Sequence, residues 1–267
     1  MATARRFKAV LLDMDGVLFH GDRVLPGAAR FLHAIAALPH CFVTNNPIRT
    51  PQQISDHFAA LGLPRPRPER ILTSALATAA WLSLEKPGFR YYPVGAPGLD
   101  EALRAVGSYD AEAADFVVVG EGPGLDFHTL TTGINLILKR GARLVSTNPD
   151  HNVDADRDGR HQVLPGGGAL VAPFAVATGV EPVVVGKPHP LLYRMAVDRL
   201  ALAAGDCVMV GDRPDTDIAG AQALGMATAL VRSGRFGPGA GLPAGIRPDW
   251  DTDSLTELAE EWRSLGF

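Results

Sequence analysis

Short apolar runs that end in polar side chains recur along this chain of 267 residues. They read AVLLDMDG, CFVTNN, PVVVGK and CVMVGD, and most are separated by segments with apolar residues at helical spacing. A short apolar run bounded by polar residues or glycine indicates a strand buried in a parallel sheet. Alternating β and α units of this kind predict an α/β fold, in which helices cover both faces of a parallel sheet.

The polar residues that end these runs are expected to lie together. In an open parallel sheet the ligand binds outside the carboxyl ends of the strands. The predicted strand ends carry Asp13 and Asp15; Thr44, Asn45 and Asn46; Lys187; and Asp212 with Asp217. We therefore predict a single cleft that is lined by these side chains.

The middle of the chain differs from its two ends in amino-acid composition and in its pattern of predicted strands and helices. Residues 87–181 are rich in glycine and proline, and they carry strand and helix patterns of their own. This arrangement predicts a parallel-sheet core formed by residues 1–86 and 182–267, with a second αβ module inserted at 87–181.

Composition narrows the class of protein and its partners. Hydrophobic residues make up 46% of the chain and charged residues 20%, which is usual for a globular protein. The formal net charge of −4 provides no basic surface, so we expect neither a nucleic acid polymer nor a membrane as a partner. Cys41 and Cys207 each open an apolar run and are interpreted as buried strand residues. Low cysteine content and the lack of a long apolar run predict a cytoplasmic protein. The sequence is compatible with either a monomer or a homo-oligomer.

The residue types at the strand ends suit phosphoryl transfer, in which catalysis is mostly positioning and charge stabilisation. A carboxylate at Asp13 can attack phosphorus and form an acyl phosphate. Two anions meet in that step, so we expect a Mg²⁺ ion, which binds through one or two carboxylates together with substrate oxygens and water. Asp13 and Asp212 are the natural side-chain ligands, and the backbone carbonyl of Asp15 offers a third oxygen.

The remaining polar groups have separate tasks in the same reaction. Asp15 lies two residues after Asp13 on the same face of an extended segment, so it can protonate the leaving alcohol and later deprotonate water. Lys187 can neutralise developing charge, and Thr44 is predicted to bind the phosphoryl oxygens together with Asn45 and Asn46, whose backbone amides follow it. The predicted activity is hydrolysis of a small-molecule phosphate ester.

The motifs, taken in order, resemble the haloacid dehalogenase-like hydrolases, specifically the subfamily of NagD-like and p-nitrophenyl-phosphatase-like enzymes. They are DMDGVL at 13–18, VTNN at 43–46, TNPD at 147–150, PGGGALV at 165–171, GKP at 186–188 and GDRPDTDI at 211–218. The resemblance covers nearly the whole chain and implies a Rossmann-like core with an inserted αβ cap at 87–181. It implies a nucleophilic Asp13, an acid/base Asp15, phosphate binding by Thr44 and Lys187, and Mg²⁺ as the cofactor. By the same resemblance, Asp217 holds Lys187 or a metal-bound water.

Two points within the resemblance concern the substrate. Pro47 stands where serine or threonine is expected, which removes a hydroxyl and a backbone donor from the phosphate loop. The cap residues Asn148, Asp150 and His151 are expected to face the cleft and to select the substrate. Family members suggest sugar phosphates, nucleoside monophosphates, phosphoglycolate or pyridoxal phosphate.

Three other functions fit part of the pattern. A receiver-like phosphoacceptor also uses Asp, Thr, Lys and Mg²⁺, but it is much shorter and accepts phosphate on a later strand. A phosphomutase of the same superfamily carries a helical cap before Thr44, where this chain has room only for a loop and one helix. A dehalogenase does not need the second aspartate, Asp15. These differences favour the phosphatase.

The segment DADRDG at 154–159 matches the start of a calcium-binding loop. Its twelfth position is Pro165 rather than the glutamate that such a loop requires. We therefore interpret Asp158-Gly159 as the turn of a β-hairpin.

Overall fold

Strand β1 lies in the middle of the core sheet, and the elements around it follow the predicted alternation. The computed structural model describes residues 6–157 and 160–266. The first part of the core contains β1 (Ala9–Leu12), β2 (Phe19–His20), β3 (Arg23–Val24), α1 (Ala28–Ala34), β4 (His40–Thr44), α2 (Pro51–Ala60), β5 (Ile71–Thr73) and α3 (Ser74–Glu85).

The chain then forms the cap and returns to the core. The cap contains β6 (Arg90–Val94), α4 (Pro97–Arg104), β7 (Ser108–Tyr109), β8 (Phe116–Val119), α5 (Phe127–Arg140), β9 (Arg143–Ser146), β10 (Asn152–Arg157), β11 (Arg160–Pro165), α6 (Gly167–Thr178) and β12 (Val183–Val184). The second part of the core contains α7 (Pro190–Leu200), β13 (Cys207–Gly211), α8 (Ala219–Ala223), β14 (Ala227–Val231), β15 (Trp250–Thr252) and α9 (Leu255–Ser264).

The core sheet is parallel, with the strand order β15-β14-β13-β1-β4-β5. The chain builds outward from β1 on one side through β4 and β5, and later on the other side through β13, β14 and β15. Ligands of open α/β sheets bind at such a reversal of strand order. The strands that precede Asp13, Thr44 and Asp212 are therefore neighbours.

Burial explains why these runs form central strands. Every residue of β1, β13 and β14 is buried. Alternate residues of β1 enter different apolar clusters, because successive side chains of a strand point to opposite faces. Val10 and Leu12 pack in one cluster with Phe31, and Ala9 and Leu11 pack in a second one on the other face. Both faces of the sheet are thus covered.

The second of these clusters continues from the core into the cap. We call it the shared cluster; it includes Ala9, Leu11, Val43, Leu72, Ala75, Leu82, Phe89, Tyr91, Leu99, Phe116, Val118, Leu192 and Tyr193. The cap sheet has the order β12-β9-β8-β6-β7, and its other face packs against a third cluster that contains Val117 and Phe174. Core and cap are therefore joined by buried apolar side chains as well as by the chain itself.

Helix α2 follows the Thr44–Asn46 loop and has a well-defined start. The Thr50 hydroxyl accepts a hydrogen bond from the Gln53 backbone N–H (3.2 Å), and the Gln53 side chain accepts one from the Thr50 N–H (2.9 Å). Pro51 occupies the first helical position. This reciprocal capping fixes where the loop ends and the helix begins.

The predicted α/β fold with a parallel core sheet is confirmed, and one predicted strand is placed differently. The run PVVVG was expected to be a core strand, but only Val183–Val184 is a strand, and it pairs with β9 in the cap sheet. The open edge of β9 supplies the partner for it. The predicted division was 1–86, 87–181 and 182–267; we now propose 1–86, 87–184 and 185–267, because Val183–Val184 pairs in the cap sheet.

The hairpin predicted near DADRDG is present as the antiparallel pair β10 and β11. The turn predicted at Asp158-Gly159 lies outside the described residues. Cys41 and Cys207 are both free and buried, as predicted. Within the described part of the chain, no helix has both the length and the apolar character needed to cross a bilayer.

Candidate active site

Asp13 and Asp15 follow β1 directly and reach the same cavity. The Asp13 N–H donates to the Val210 carbonyl (2.9 Å), so Asp13 still follows the register of the sheet and is buried. Asp15 is exposed to the cavity. Gly16 then turns the chain with a φ of 82°, and a Cβ there would lie 2.4 Å from an Asp212 carboxylate oxygen. Glycine is therefore required where the two loops meet.

Lys187 is fully buried beside Asp13. Its Nζ lies 3.0 Å from Oδ1 of Asp13 and 2.7 Å from Oδ1 of Asp217, and it donates to the Val43 carbonyl (3.1 Å). Three acceptors satisfy the three donors of an ammonium group. Burial lowers the pKa of Lys187, but the charges of Asp13 and Asp217 outweigh that effect and raise the pKa overall. Lys187 is therefore a fixed positive charge at neutral pH.

Asp217 is held by two donors. Its Oδ1 accepts from Lys187, and its Oδ2 accepts from the Arg213 backbone N–H (3.1 Å). Holding Lys187 is one of the two roles predicted for Asp217. It orients the ammonium group that faces Asp13.

Asp212 has one carboxylate oxygen without a partner. Its Oδ2 accepts from the Arg235 backbone N–H (3.0 Å), but its buried Oδ1 has no hydrogen-bond partner among the described residues. Asp13, Asp212 and Asp217 each offer an oxygen within 4.8 Å of the others. An unpartnered buried oxygen is costly, and a cation would satisfy it.

The residues present fit a Mg²⁺ ion. Mg²⁺ takes oxygen ligands and is usually bound through one or two carboxylates. Asp13 and the free oxygen of Asp212 supply these carboxylates, whereas both Asp217 oxygens already accept protein hydrogen bonds. The backbone carbonyl of Asp15 remains a predicted third ligand.

The acids of the site have raised pKa values. Burial raises the pKa of Asp13 to about 7, although the charge of Lys187 opposes the shift. Burial raises the pKa of Asp212 well above its ordinary value, and the charge of Asp13 adds to the effect. Desolvation also raises the pKa of Asp15, against the opposing charge of Arg49. A site with this many acids binds a cation readily and protonates when none is present.

Thr44 and Asn46 lie at the carboxyl end of β4 and line the cavity. The Asn46 backbone N–H donates to the Thr44 hydroxyl oxygen (3.1 Å), and the Asn46 side-chain oxygen accepts from the Ile48 N–H (2.8 Å). The hydroxyl proton of Thr44 stays free to bond a phosphoryl oxygen. These bonds hold the loop in one conformation at the predicted phosphate site.

Asn45 was predicted to bind phosphate, but its side chain is used elsewhere. Its amide nitrogen donates to Oδ2 of Asp150 (3.1 Å) and to the Lys187 carbonyl (3.0 Å), and its oxygen accepts from the Lys187 N–H (2.7 Å). An amide with these bonds has little capacity left for a ligand. Asn45 positions Lys187 and ties the core to the cap.

The three cap residues predicted to face the cleft have different positions. Asp150 lines the cavity and pairs with Arg213 (2.6 Å). Asn148 is buried behind the wall, where its amide donates to the Asn45 carbonyl (2.8 Å) and to Glu121 (2.7 Å). His151 is exposed and does not line the cavity.

Several cavity residues were missed at the level of sequence. Arg49 and the hairpin of β2 and β3 form part of the wall, and Glu121 faces the cavity from the cap. Glu121 follows the buried run FVVVG just as Asp13 follows AVLL, so the rule of polar strand ends could have identified it. Arg213 lies inside the motif GDRPDTDI, but its partner Asp150 lies in the cap, and no pattern in the sequence links the two residues. The cavity has a volume of about 470 Å³, which suits a small ligand.

Comparisons with known proteins agree with this geometry. The family model described as haloacid dehalogenase-like hydrolase matches residues 10–108, and a HAD-hydrolase-like model matches residues 184–258. A dihydroxyacetone phosphatase of Corynebacterium glutamicum is 39% identical over 255 residues, which cover 94% of this chain and 90% of the relative. The chain belongs to the haloacid dehalogenase-like hydrolase family.

Other members of this haloacid dehalogenase-like family match over most of their length. An acid sugar phosphatase of Staphylococcus saprophyticus is 36% identical over 86% of this chain and 88% of the relative. The solved structure of NagD from E. coli has a TM-score of 0.84 at 33% identity, covering 94% of this chain and 98% of that one. A p-nitrophenyl phosphatase from Archaeoglobus fulgidus has a TM-score of 0.85 at 32% identity, covering 96% and 99%. The resemblance found in the sequence is confirmed, and the chain is a phosphatase of this family.

Proposed function

We propose that this phosphatase hydrolyses small phosphomonoesters in a Mg²⁺-dependent reaction, through a phosphoryl group that is transiently bonded to Asp13. One observation carries the proposal. The buried Asp13 carboxylate contacts the Lys187 ammonium, and an unpartnered oxygen of Asp212 lies in the same cluster. A nucleophile, a fixed positive charge and an open cation site are thus present together.

In the first step, a carboxylate oxygen of Asp13 forms a bond to phosphorus as the ester bond to the leaving alcohol breaks. Lys187 keeps its charge beside the reacting carboxylate, and the Thr44 hydroxyl bonds a phosphoryl oxygen. When it is bound, Mg²⁺ supplies charge neutralisation between the carboxylate and the phosphate. Asp217 contributes by holding Lys187 in place.

Asp15 moves the protons in both steps. In its protonated form it donates to the oxygen of the departing alcohol, and desolvation, which raises the pKa of Asp15, shifts the group toward that form. The resulting carboxylate then takes a proton from the water that attacks the acyl phosphate. That attack releases inorganic phosphate and regenerates the Asp13 carboxylate and the protonated Asp15.

A small hydroxylated ester is the substrate class that the cavity supports best. One relative is named a dihydroxyacetone phosphatase and another an acid sugar phosphatase. The cavity volume of about 470 Å³ accommodates a triose or a sugar phosphate. Nucleoside monophosphates remain part of the substrate panel.

The decisive experiment measures phosphate release over a panel of phosphorylated metabolites and p-nitrophenyl phosphate, with Mg²⁺ or with a chelator. We expect Mg²⁺-dependent turnover, and we expect Asp13→Asn to lower kcat by about a thousandfold or more, because an amide cannot attack phosphorus. Mass spectrometry of acid-quenched enzyme should show one added phosphoryl group on the Asp13 peptide. Turnover by Asp13→Asn at the wild-type rate would refute the proposal.

Two of the alternative functions make different predictions for the same assay. A receiver-like phosphoacceptor would accumulate phosphoprotein with negligible turnover. A phosphomutase would return the phosphoryl group to a sugar rather than release it to water. The inserted αβ cap and the position of Asp15 beside the nucleophile favour hydrolysis over both.

A further inference from the structure

Glu121 is a buried acid in the cavity wall that the proposed mechanism does not use. It follows β8 of the cap, and only 2% of its surface is exposed. It lines the same cavity as Asp15, and the charge of Asp15 acts on it. A substrate that is bound at Asp13 with its alcohol directed toward the cap would meet this carboxyl group.

The other acids in the cap wall already have cationic partners. Asp150 pairs with Arg213 (2.6 Å), and Asp154 pairs with Arg235 (3.3 Å). Within the part of the chain that the structure describes, Glu121 makes no ion pair. Among the acids of the cap wall, Glu121 is therefore the one whose carboxyl group is not paired with a protein cation.

The partners of Glu121 fix its position without using all of its hydrogen-bonding capacity. The Asn148 amide donates to its Oε1 (2.7 Å), and the Gly167 backbone N–H also hydrogen-bonds to the carboxyl group. Asn148 in turn donates to the Asn45 carbonyl (2.8 Å), which ties the group to the core. Both partners of Glu121 are donors, so a proton on the carboxyl group has no acceptor among them.

Burial raises the pKa of Glu121 to about 8, so the carboxylic acid predominates at neutral pH. In that form it brings one O–H donor and keeps acceptor capacity. A hydroxyl group is the ligand that matches either form of the carboxyl, because a hydroxyl both donates and accepts. An apolar group at the same place would leave this buried polar group unsatisfied.

We propose that Glu121 is the specificity-determining residue of the cap, and that it binds a hydroxyl group on the leaving alcohol of the substrate. The enzyme would then prefer polyol and sugar phosphates to apolar phosphate esters of similar size. This inference rests on the proposed phosphatase reaction and adds a substrate class and a residue to it.

The test compares two substrates that differ in hydroxyl groups but little in size, glycerol phosphate and n-propyl phosphate, with p-nitrophenyl phosphate as a control for the chemistry. For the wild type we expect a higher kcat/KM with glycerol phosphate than with propyl phosphate. Glu121→Met keeps the length of the side chain and removes its polar atoms, so it should lower this preference about tenfold. Its kcat/KM with p-nitrophenyl phosphate should change by less than about threefold.

Glu121→Gln is the matched control, because it keeps a donor and an acceptor at the same place. It should retain most of the preference for glycerol phosphate. An unchanged preference in Glu121→Met, or an equal loss with all three substrates, would overturn the inference. If Glu121→Met does not fold, the wild type and Glu121→Gln provide the test. A wild type that shows no preference for glycerol phosphate over propyl phosphate would by itself overturn the inference. If the wild type showed no Mg²⁺-dependent hydrolysis of p-nitrophenyl phosphate, that result would instead refute the proposed function.

Discussion

Asp13 and Asp15 lie two residues apart, but their surroundings differ. Asp13 is buried against the Lys187 ammonium, whereas Asp15 faces the cavity and is influenced by the charges of Arg49 and His20. A nucleophile needs a fixed position, and a proton donor needs access to the leaving group and to water. The environments of the two aspartates match these separate roles.

We expect Asp15→Asn to trap the phosphorylated enzyme. The variant keeps the Asp13 nucleophile but cannot deprotonate the attacking water, so kcat should fall by about 10²–10⁴-fold. Steady-state assays and intact-mass measurements after an acid quench would check both effects. An Asp15→Asn enzyme that turns over at the wild-type rate, with no accumulated phosphoenzyme, would contradict the role of Asp15.

At the scale of the element, the loop after β1 depends on a close approach of backbone to side chain. Gly16 has a left-handed φ of 82°, and a Cβ there would lie 2.4 Å from Asp212. Gly62 ends α2 with a similar φ of 70°, but a Cβ there would contact nothing within 4 Å. The two glycines share the left-handed backbone conformation, but only at Gly16 would an added Cβ collide with a neighbouring side chain.

We expect Gly16→Ala to weaken Mg²⁺ binding and Gly62→Ala to leave it unchanged. Both should lose about 1 kcal/mol of stability, because alanine is strained in the left-handed region. Only Gly16→Ala displaces the Asp212 carboxylate, so its Mg²⁺ concentration for half-maximal activity should rise about tenfold or more. Magnesium titrations of activity, with melting temperatures for both variants, would measure this. Equal responses of the two variants would show that backbone strain alone is responsible.

Elements with a local signal were predicted from the sequence, and elements that depend on distant partners were not. The runs that became β1, β4 and β13 are buried on both faces, so an apolar run with polar ends was enough to identify them. Val183–Val184 lies in a similar apolar run, but its pairing with the free edge of β9 places it in the cap sheet rather than in the core sheet. After β13 the chain forms a π-helical segment, Pro214–Ile218, in which the Ile218 N–H bonds to the Arg213 carbonyl (3.3 Å).

The same distinction applies to the site residues. Asp13, Thr44 and Asp212 lie together because the neighbouring parallel strands β1, β4 and β13 end at the same edge of the core sheet, and this was predictable. The clamp formed by the Asn45 side chain was not, because its partners in the cap lie more than a hundred positions away in sequence. The amide of an asparagine bonds phosphate or protein equally well, and only the fold decides between them.

For the whole molecule, pH and Mg²⁺ should act on stability together. The pKa of Asp13 is raised to about 7 without a cation, so the unfolded chain loses this proton at lower pH than the folded one. The contribution of Asp13 to stability is therefore present at low pH and is lost as pH rises toward about 7. Bound Mg²⁺ stabilises the deprotonated carboxylates instead.

We expect Mg²⁺ to raise the melting temperature more at pH 8 than at pH 5.5, because protons compete with the cation for Asp13 and Asp212. At a concentration a hundred times the Kd, a ligand that binds only the folded state adds about 2.7 kcal/mol. Thermal unfolding with Mg²⁺ or a chelator at both pH values would measure the difference. Asp212→Asn serves as the control and should lose most of the response. A larger Mg²⁺-induced increase in melting temperature at pH 5.5 than at pH 8 would contradict the expected competition between protons and Mg²⁺ for Asp13 and Asp212.

The shared cluster has a consequence for how substrate enters and phosphate leaves. Rotating the entire cap away from the core would bring Leu99 and Phe116 into water, which is unfavourable. Exchange is expected instead through small displacements of two peripheral hairpins, since β10 contacts β2 across the opening. An opening of that kind admits a free metabolite and rejects a phosphorylated residue on the surface of a folded protein.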